Sequence, residues 1–342
     1  MKTAVVILNW NTRELLCRFL PGLLESVSGT DAEVIVADNA STDGSMEMMA
    51  EKFPAVRTVV LDRNYGFAEG YDIALGQIEA DYFVLVNSDI EVSPGWLAPL
   101  TEWMESHPEC GACGPKLHSW QKRDRFEYAG AAGGFIDRYG YPFCRGRVLK
   151  RTEIDMGQYD EPKDVFWITG ACIMVRSGLF RSLGGFDRRF FAHMEEIDLC
   201  WRIQLAGYRV TTVPASTVYH LGGGTLPMNS PFKLRLNYRN NLLMLDNNLP
   251  GTVGKARAAR LIFFRKILDG LSAIVYLFGG KPEYFRAVLQ AHSEYRRLRK
   301  KGRDNESCTD KHTVTGFYNG SILLQAMLRG DRIFEFVRDM RI

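Results

Sequence analysis

Long apolar runs are missing from this sequence. In its basic C-terminal part the longest charge-free stretch, Gly270–Gly280, is too short to span a bilayer. Near the start, Lys2 and Thr3 lead into the short apolar run Ala4–Leu8, which is shorter than a signal-peptide core and lacks a small-residue cleavage site. The expected location is therefore the cytoplasm. Cysteine is scarce and unpatterned: Cys17, Cys110, Cys113, Cys144, Cys172, Cys200 and Cys308 are an odd number without a disulfide framework. Cys110 and Cys113 form a C-x-x-C, but no second pair or nearby histidine pair completes a zinc site, so structural thiols are expected. Neither a Walker A pattern nor a G-x-G-x-x-G is present, which removes the Gly-rich phosphate loops. No serine or cysteine is set up as an activated nucleophile, and no internal repeat occurs.

What is present begins with an uneven charge. Between Lys255 and Arg303 there are thirteen Lys and Arg against three acids (Asp269, Glu283, Glu294), although the chain as a whole carries only +3. The remainder is therefore net acidic. The first half alternates strand-like and helix-like segments. Ala4–Leu8, Glu33–Ala37, Thr58–Leu61 and Tyr82–Val86 read as strands. Between them lie helical spacing over Thr12–Ser26, which Pro21 should kink or divide, a helix capped by Ser41 or Thr42, and one over Tyr71–Ile78. That alternation predicts an α/β fold with a mainly parallel central sheet and helices on both faces. In such sheets ligands bind beyond the carboxyl ends of the strands, where Asn9, Asp38, Asn64 and Asp89 all fall. Further on, Thr211–Val213 and Thr217–Tyr219 read as two short strands.

Several clusters could carry chemistry. Asp89 closes a strand beside Asn87, and hard divalent ions bind through one or two carboxylates plus substrate phosphates; taken alone, such an Asp more often caps a turn, so a metal role needs partners. His220 ends a strand before Gly222-Gly223-Gly224, where backbone can approach a ligand, or it is simply a hydrogen-bonded histidine. Glu195, Glu196 and Asp198 crowd three carboxylates into four residues. Mutual repulsion would raise one of them towards the range of a general base, while a helix N-terminus would stabilise acids for structural reasons alone. Asp198 is placed to pair with Arg202 four residues on.

Seven segments in order resemble the inverting family 2 glycosyltransferases of the GT-A fold, in particular their rhamnosyltransferase-like branch: V-V-I-L-N-W-N (Val5–Asn11), V-I-V-A-D-N-A-S-T-D-G-S (Val34–Ser45), N-Y-G-F-A-E-G (Asn64–Gly70), L-V-N-S-D (Leu85–Asp89), W-I-T-G-A-C (Trp167–Cys172), F-F-A-H-M-E-E-I-D-L-C-W-R (Phe190–Arg202) and V-Y-H (Val218–His220). The resemblance spans roughly residues 3–245. It implies that a UDP- or dTDP-linked sugar is transferred to the hydroxyl of a glycan or lipid-linked glycan, as in cell-surface polysaccharide synthesis. Asp38 is expected at the base or ribose, with Asn9, Asn11, Asn64 and Asn87 around the donor. Asp89 corresponds to the last Asp of a D-x-D, here reduced to Asn87-Ser88-Asp89, and would bind Mn²⁺ or Mg²⁺ together with His220. Glu196 stands where the family carries its base, usually Asp, with Glu195 beside it. Trp167, Thr169 and Gly170 are expected in the donor-sugar and acceptor pocket.

A catalytic domain over 1–248 and a helical, basic extension over 249–342 are the expected organisation. In the extension Leu261, Phe264, Leu268, Leu271, Val275 and Phe278 recur at helical spacing with Arg265, Lys266, Asp269 and Ser272 opposite. Such a helix packs on the catalytic domain, or the basic stretch 255–303 rests on anionic lipid at the inner face of the membrane. The basic run has few aromatics placed to stack bases, so no nucleic-acid partner is expected. The rival readings are a sugar nucleotidyltransferase, for which Asn9-Trp10-Asn11 is the wrong loop, and a degenerate transferase domain kept as a binding module.

Overall fold

Four parallel strands form the first half of the chain in the computed structural model, which describes residues 1–222, 230–302 and 313–340. They are β1 (Thr3–Asn9), β2 (Ala32–Asp38), β3 (Arg57–Val60) and β4 (Tyr82–Val86), joined by α1 (Arg13–Ser26), α2 (Ser45–Lys52) and α3 (Gly66–Leu75). Residues β1 and β4 contribute are buried almost throughout, because helices cover both faces. Side-chain alternation divides the interior in two: Val6, Ile35, Phe83 and Leu85 enter one core, Val5, Ile7, Val36 and Val84 the other. Asn9 lies opposite Asp38 at the carboxyl ends of adjacent strands.

Beyond β4 come β5 (Ile90–Val92), α4 (Leu97–Ser106) and the long β6 (Cys110–Ser119). A small sheet follows, built from β7 (Gly134–Asp137), β8 (Pro142–Cys144), β9 (Arg147–Val148) and β10 (Arg151–Thr152). Then β11 (Lys163–Asp164), β12 (Cys172–Arg176), α5 (Ser177–Ser182), α6 (Glu195–Leu205) and β13 (Arg209–His220) complete the large sheet. Its order is β11-β13-β6-β12-β4-β1-β2-β3, with β5 on β13. The expected parallel arrangement holds for β3-β2-β1-β4, but the whole sheet is mixed, since β12 runs antiparallel to both β4 and β6. Residues 107–171 contain no helix that could serve as a crossover, and an antiparallel neighbour needs none.

Local expectations are corrected at four places. Pro21 does not divide α1. Neither Ser41 nor Thr42 caps α2; Asp43 receives the N–H of Ser45 (3.1 Å) at its start instead. The helix expected from Tyr71 begins at Gly66, inside the glycine-bearing loop. The two strands near residue 215 are one, β13, with a register shift between Thr212 and Thr217 where Pro214 has no N–H to give. The six described cysteines are all free, five of them buried, and Cys308 lies outside the described residues.

The C-terminal part comprises α7 (Pro231–Val253), α8 (Lys255–Phe278), α9 (Pro282–Lys300), β14 (Phe317–Tyr318), α10 (Ile322–Arg329) and α11 (Ile333–Arg338). The expected boundary at 248–249 falls inside α7, which packs on α6, and β14 adds to the small sheet beside β7. Of the two settings expected for α8, packing of its apolar stripe on the catalytic domain is largely reversed. Leu261 is buried, but Phe264, Leu271, Val275 and Phe278 face outward, while Arg265 and Asp269 are buried. Arg265 donates to Asp269 (2.7 Å), to the Tyr139 carbonyl (2.9 Å) and to Asn241 (2.5 Å), and His292 lies 3.1 Å from the other Asp269 oxygen. These polar partners on α7, α9 and the β7–β8 turn hold that face inward.

A second buried pair joins the two parts of the chain. Arg202 donates to Asp198 (2.7 Å) with both side chains fully buried, and Asn248 of α7 donates to the other Asp198 oxygen (2.7 Å). Replacing Arg202 by Met should lower unfolding stability by about 3–5 kcal/mol, because Asp198 would keep its charge without its partner. Urea denaturation of both proteins measures the difference.

Candidate active site

The carboxyl edge of the parallel strands is built from amide and hydroxyl side chains that bond one loop to the next. Asn9 Nδ2 donates to Asp38 Oδ1 (2.7 Å) and Ser41 Oγ (2.9 Å), and Ser41 N donates to Asp38 Oδ2 (2.9 Å). Thr12 donates to Asn9 Oδ1, and Asn11 Oδ1 accepts from Thr42 N (2.7 Å). Asn9 and Asp38 are thus buried and shape the loop, while Trp10, Asn11 and Thr42 form its exposed rim. Asn39 carries the connection onward, donating to Asn64 Oδ1 (3.1 Å) and the Gly66 carbonyl (2.9 Å) and accepting from Tyr65 N (2.9 Å). The N–H of Phe67 then donates to the Phe191 carbonyl (2.5 Å), in the turn just before α6.

That turn delivers the acidic pair. Phe191, His193 and Met194 all have φ near +70°, a left-handed run that L-residues adopt at a cost. Asn240 of α7 offsets it by donating to the carbonyls of Phe190, Ala192 and His193, at 2.8–2.9 Å. Glu195 and Glu196 then open α6. Glu195 is buried, and burial plus the neighbouring Glu196 push its carboxyl well above the usual range. Glu196 is half-buried with Oε2 shielded and unpaired; burial outweighs its backbone hydrogen bonds and pushes the carboxyl up to about 7. A Cβ on Gly170 would meet the Glu196 chain at 3.4 Å and Phe67 at 3.6 Å, so the 169–171 loop, the 64–70 loop and the start of α6 converge. Ala171 O accepts from Asn87 N (2.9 Å), tying the same loop to the end of β4.

At that strand end Asp89 and His220 face each other, Nε2 to Oδ1 at 3.2 Å, both buried. Burial would raise the Asp89 carboxyl, but the His220 hydrogen bond and charge outweigh it and hold it below the ordinary range. Burial likewise disfavours the His220 cation, yet Asp89 and Glu127 push the imidazole up to about 10. Glu127 Oε2 is 3.4 Å from His220 Nδ1, and sequence reasoning missed it. Its only advance signal was its place among the Gly-rich segments after Pro115. Among the described residues no group of three or more His, Cys, Asp or Glu is arranged to hold a metal ion. Of the glycine triplet, Gly222 is described and Gly223 and Gly224 lie outside the described residues.

Two expected pocket residues turn away from the edge. Trp167 is buried and donates Nε1–H to the Phe135 carbonyl (3.0 Å), filling the space beside Gly134. Thr169 is buried and accepts from Ala171 N (3.1 Å), which shapes the loop under Gly170. Sequence reasoning also passed over His193, whose imidazole is pushed down to about 4 by burial and by the Lys233 cation.

Against this geometry the sequence matches Glycosyl transferase family 2 over residues 4–184. The chain belongs to that family. It is 28% identical over 233 residues to the N-acetylglucosaminyl-diphospho-decaprenol L-rhamnosyltransferase of Mycobacterium tuberculosis, covering 63% of this chain and 75% of that protein. It is also 25% identical to the rhamnosyltransferase WbbL of Escherichia coli, covering 59% and 78%. Among solved structures, GalNAc-T7 with UDP, GalNAc and Mn²⁺ superposes with a TM-score of 0.58 at 17% identity, covering 72% of this chain and 48% of that one, so the chain spans about half its length. Staphylococcus aureus TarS 1–349 gives 0.55 at 17% identity, covering 85% and 81%. The fold is GT-A, and the protein is a glycosyltransferase of an inverting family.

Gly66 is the tightest point in the loop chain. Its φ is +78°, and a Cβ there would run into the ring and carbonyl of Phe191. Gly66→Ala should cost more than the ~1–3 kcal/mol of left-handed strain. Gly29→Ala is the reference, since Gly29 also has φ +78° but open space around it. Equal losses of stability in the two variants would show that the Phe191 contact is easily relieved.

Proposed function

We propose that this glycosyltransferase moves a sugar from a UDP- or dTDP-linked donor to a hydroxyl of a lipid-linked glycan, in one displacement with inversion, with Glu196 as general base. The single observation that carries this reading is Glu196 itself: a shielded carboxyl tuned to about 7, packed against Gly170 where three loops of the strand edge meet. Near neutral pH such a group is basic enough to take a proton and is still ionised in about half of the molecules. As the acceptor oxygen bonds to the anomeric carbon, Glu196 takes its proton and the nucleoside diphosphate leaves from the opposite face. Glu195, raised further, stays protonated beside it and adds no second negative charge. No side chain forms a covalent intermediate.

A divalent ion fits the other end of the site. Asp89 and His220 present an oxygen and a nitrogen donor to one point from buried positions, and such ions commonly take few protein ligands and fill the rest from phosphates. When bound, it would neutralise the charge that develops on the departing diphosphate. With an ion bound, Nε2 would give up its proton and its contact with Asp89 in order to ligate, while Glu127, 3.4 Å from Nδ1 on the far side of the imidazole, would orient the ring. The names of the relatives support a lipid-linked acceptor and a role in cell-surface polysaccharide synthesis. Such an acceptor places the enzyme at the inner face of the membrane, with the basic stretch 255–303 as its contact.

Glu196→Gln should leave donor binding intact and lower transfer by roughly 10²–10⁴. Wild-type transfer should fall tenfold per pH unit below about 7, where the base becomes protonated, and stay level above it. Release of nucleoside diphosphate from a panel of sugar donors measures both. Unchanged turnover in Glu196→Gln would remove the base assignment, and no release from any donor would favour a binding module. Glu127→Ala should weaken Mn²⁺ binding by about 10–100-fold, as loss of an orienting partner does. Electron paramagnetic resonance titration of Mn²⁺ in the presence of UDP reads this without turnover.

A further inference from the structure

Helix α8 carries its charged residues inside and its largest apolar residues outside. Between Phe263 and Gly280 every exposed position is apolar or glycine. Phe278 is 86% exposed, Val275 70% and Phe263 62%, with Phe264, Leu271 and Ile274 exposed beside them. Soluble monomers rarely leave so continuous an apolar surface in water. Rotating the helix to hide it is not open to the protein, because Arg265 and Asp269 on the opposite side are bonded to α7, α9 and the Tyr139 carbonyl. Turning them out would break four buried polar contacts and bring nothing equivalent in return.

Charge decides what covers this face. Lys255, Arg257 and Arg260 stand exposed at one end of the apolar run and Lys281 at the other, where Glu283 in the first turn of α9 is also exposed, while the acid of α8 itself, Asp269, is buried. A second copy is poorly suited to it. In a twofold contact with the helices antiparallel, Arg260 meets Lys281 of the other copy; with the helices parallel, like residues meet. Both place cation against cation. An anionic bilayer supplies the opposite: phosphates for the basic ends and acyl chains for the ring and branched side chains between them. No described helix is long and apolar enough to cross the membrane, so this one would lie along it.

We infer that the outward face of α8 is a membrane-insertion surface that seats the enzyme on anionic lipid, with Phe263, Val275 and Phe278 entering the acyl boundary and Arg260 and Lys281 taking headgroup phosphates. It deepens the membrane contact proposed above for 255–303 by naming its face and mode: apolar insertion bracketed by cations, rather than attraction of a basic region alone.

Three proteins are compared as full chains: wild type, the variant Phe263→Gln with Val275→Gln and Phe278→Gln, and the variant Lys255→Gln with Arg260→Gln and Lys281→Gln. Each is co-sedimented with phosphatidylglycerol vesicles and with phosphatidylcholine vesicles, and light scattering gives its oligomeric state without lipid. The wild type should bind phosphatidylglycerol vesicles and retain part of that binding at high salt. The apolar variant should bind at least about tenfold more weakly. The charge variant should lose about fivefold per cation of the preference for phosphatidylglycerol. Absence of wild-type binding overturns the inference. So does equal binding by the apolar variant, and so does a wild-type dimer that the apolar variant dissolves while neither protein binds lipid. Nucleoside diphosphate release with a water-soluble acceptor should be the same in all three proteins. No release by any of the three, wild type included, with vesicle binding kept, counts against the transferase reading and leaves the membrane surface standing.

Discussion

The buried Asp198–Arg202 pair is the constraint on which the site depends. Its two charges sit in a dry interior, where removal from water costs several kcal/mol per ion unless every lone pair and N–H is used. They are used. Arg202 donates to Asp198 and to the carbonyls of Leu183 (3.1 Å) and Gly185 (2.8 Å). Asp198 accepts in addition from Asn247 (3.2 Å) and Asn248 (2.7 Å). This fixes the rotation of α6 about its axis, the approach of α7 and the path of the chain before the helix. Glu196, two residues before Asp198, has its direction set by that rotation. The left-handed turn over Phe191–Met194 is affordable only because α7, held by the same pair, brings Asn240 to its carbonyls.

The two ends of the site are tuned in opposite directions by the same low dielectric. Burial raises every carboxyl it surrounds, and what differs is the company. Asp89 has an imidazolium within 3.2 Å and stays ionised; Glu196 has no ion-pair partner among the described residues and another acid, Glu195, next in sequence. On the proposed reading, one carboxylate is thereby kept charged for a cation and the other kept protonatable for a proton. A swap of Asp for Glu at position 196 need not change the chemistry, because the environment, not the length of the side chain, sets the proton affinity.

The strand edge was legible in the sequence because its signals are local. An apolar run ending in Asn or Asp fixes both the strand and the place where it stops, so Asn9, Asp38 and Asp89 could be put at one edge before any coordinates. Asp198 with Arg202 was legible for the same reason, as an i,i+4 pair. Trp167 was not: the motif around it names a loop near the sugar, but whether an indole points into a pocket or a core depends on Gly134, thirty-three residues earlier and on another sheet. Glu127 was invisible because its meaning comes from His220, across two strands. The mixed sheet was missed beyond β4 because alternation of strands and helices says nothing once the helices stop.

For helix α8 the sequence left two settings open, and the reason is more general. Apolar periodicity identifies an amphipathic helix and the angle of its stripe, but the inference that the stripe faces the protein rests on the assumption that charges prefer water. Arg265 and Asp269 satisfy each other and find Asn241, His292 and the Tyr139 carbonyl, so their side buries without orphaned polar groups. Once the ionic side is the better-bonded interior, the apolar side has nowhere to go but out. In water that arrangement leaves some of the largest side chains of the helix hydrated, a cost repaid only by a surface more apolar than water. The orientation of α8 therefore suits the membrane seat proposed above, and it is the buried ion pair, not the exposed rings, that commits the helix to it.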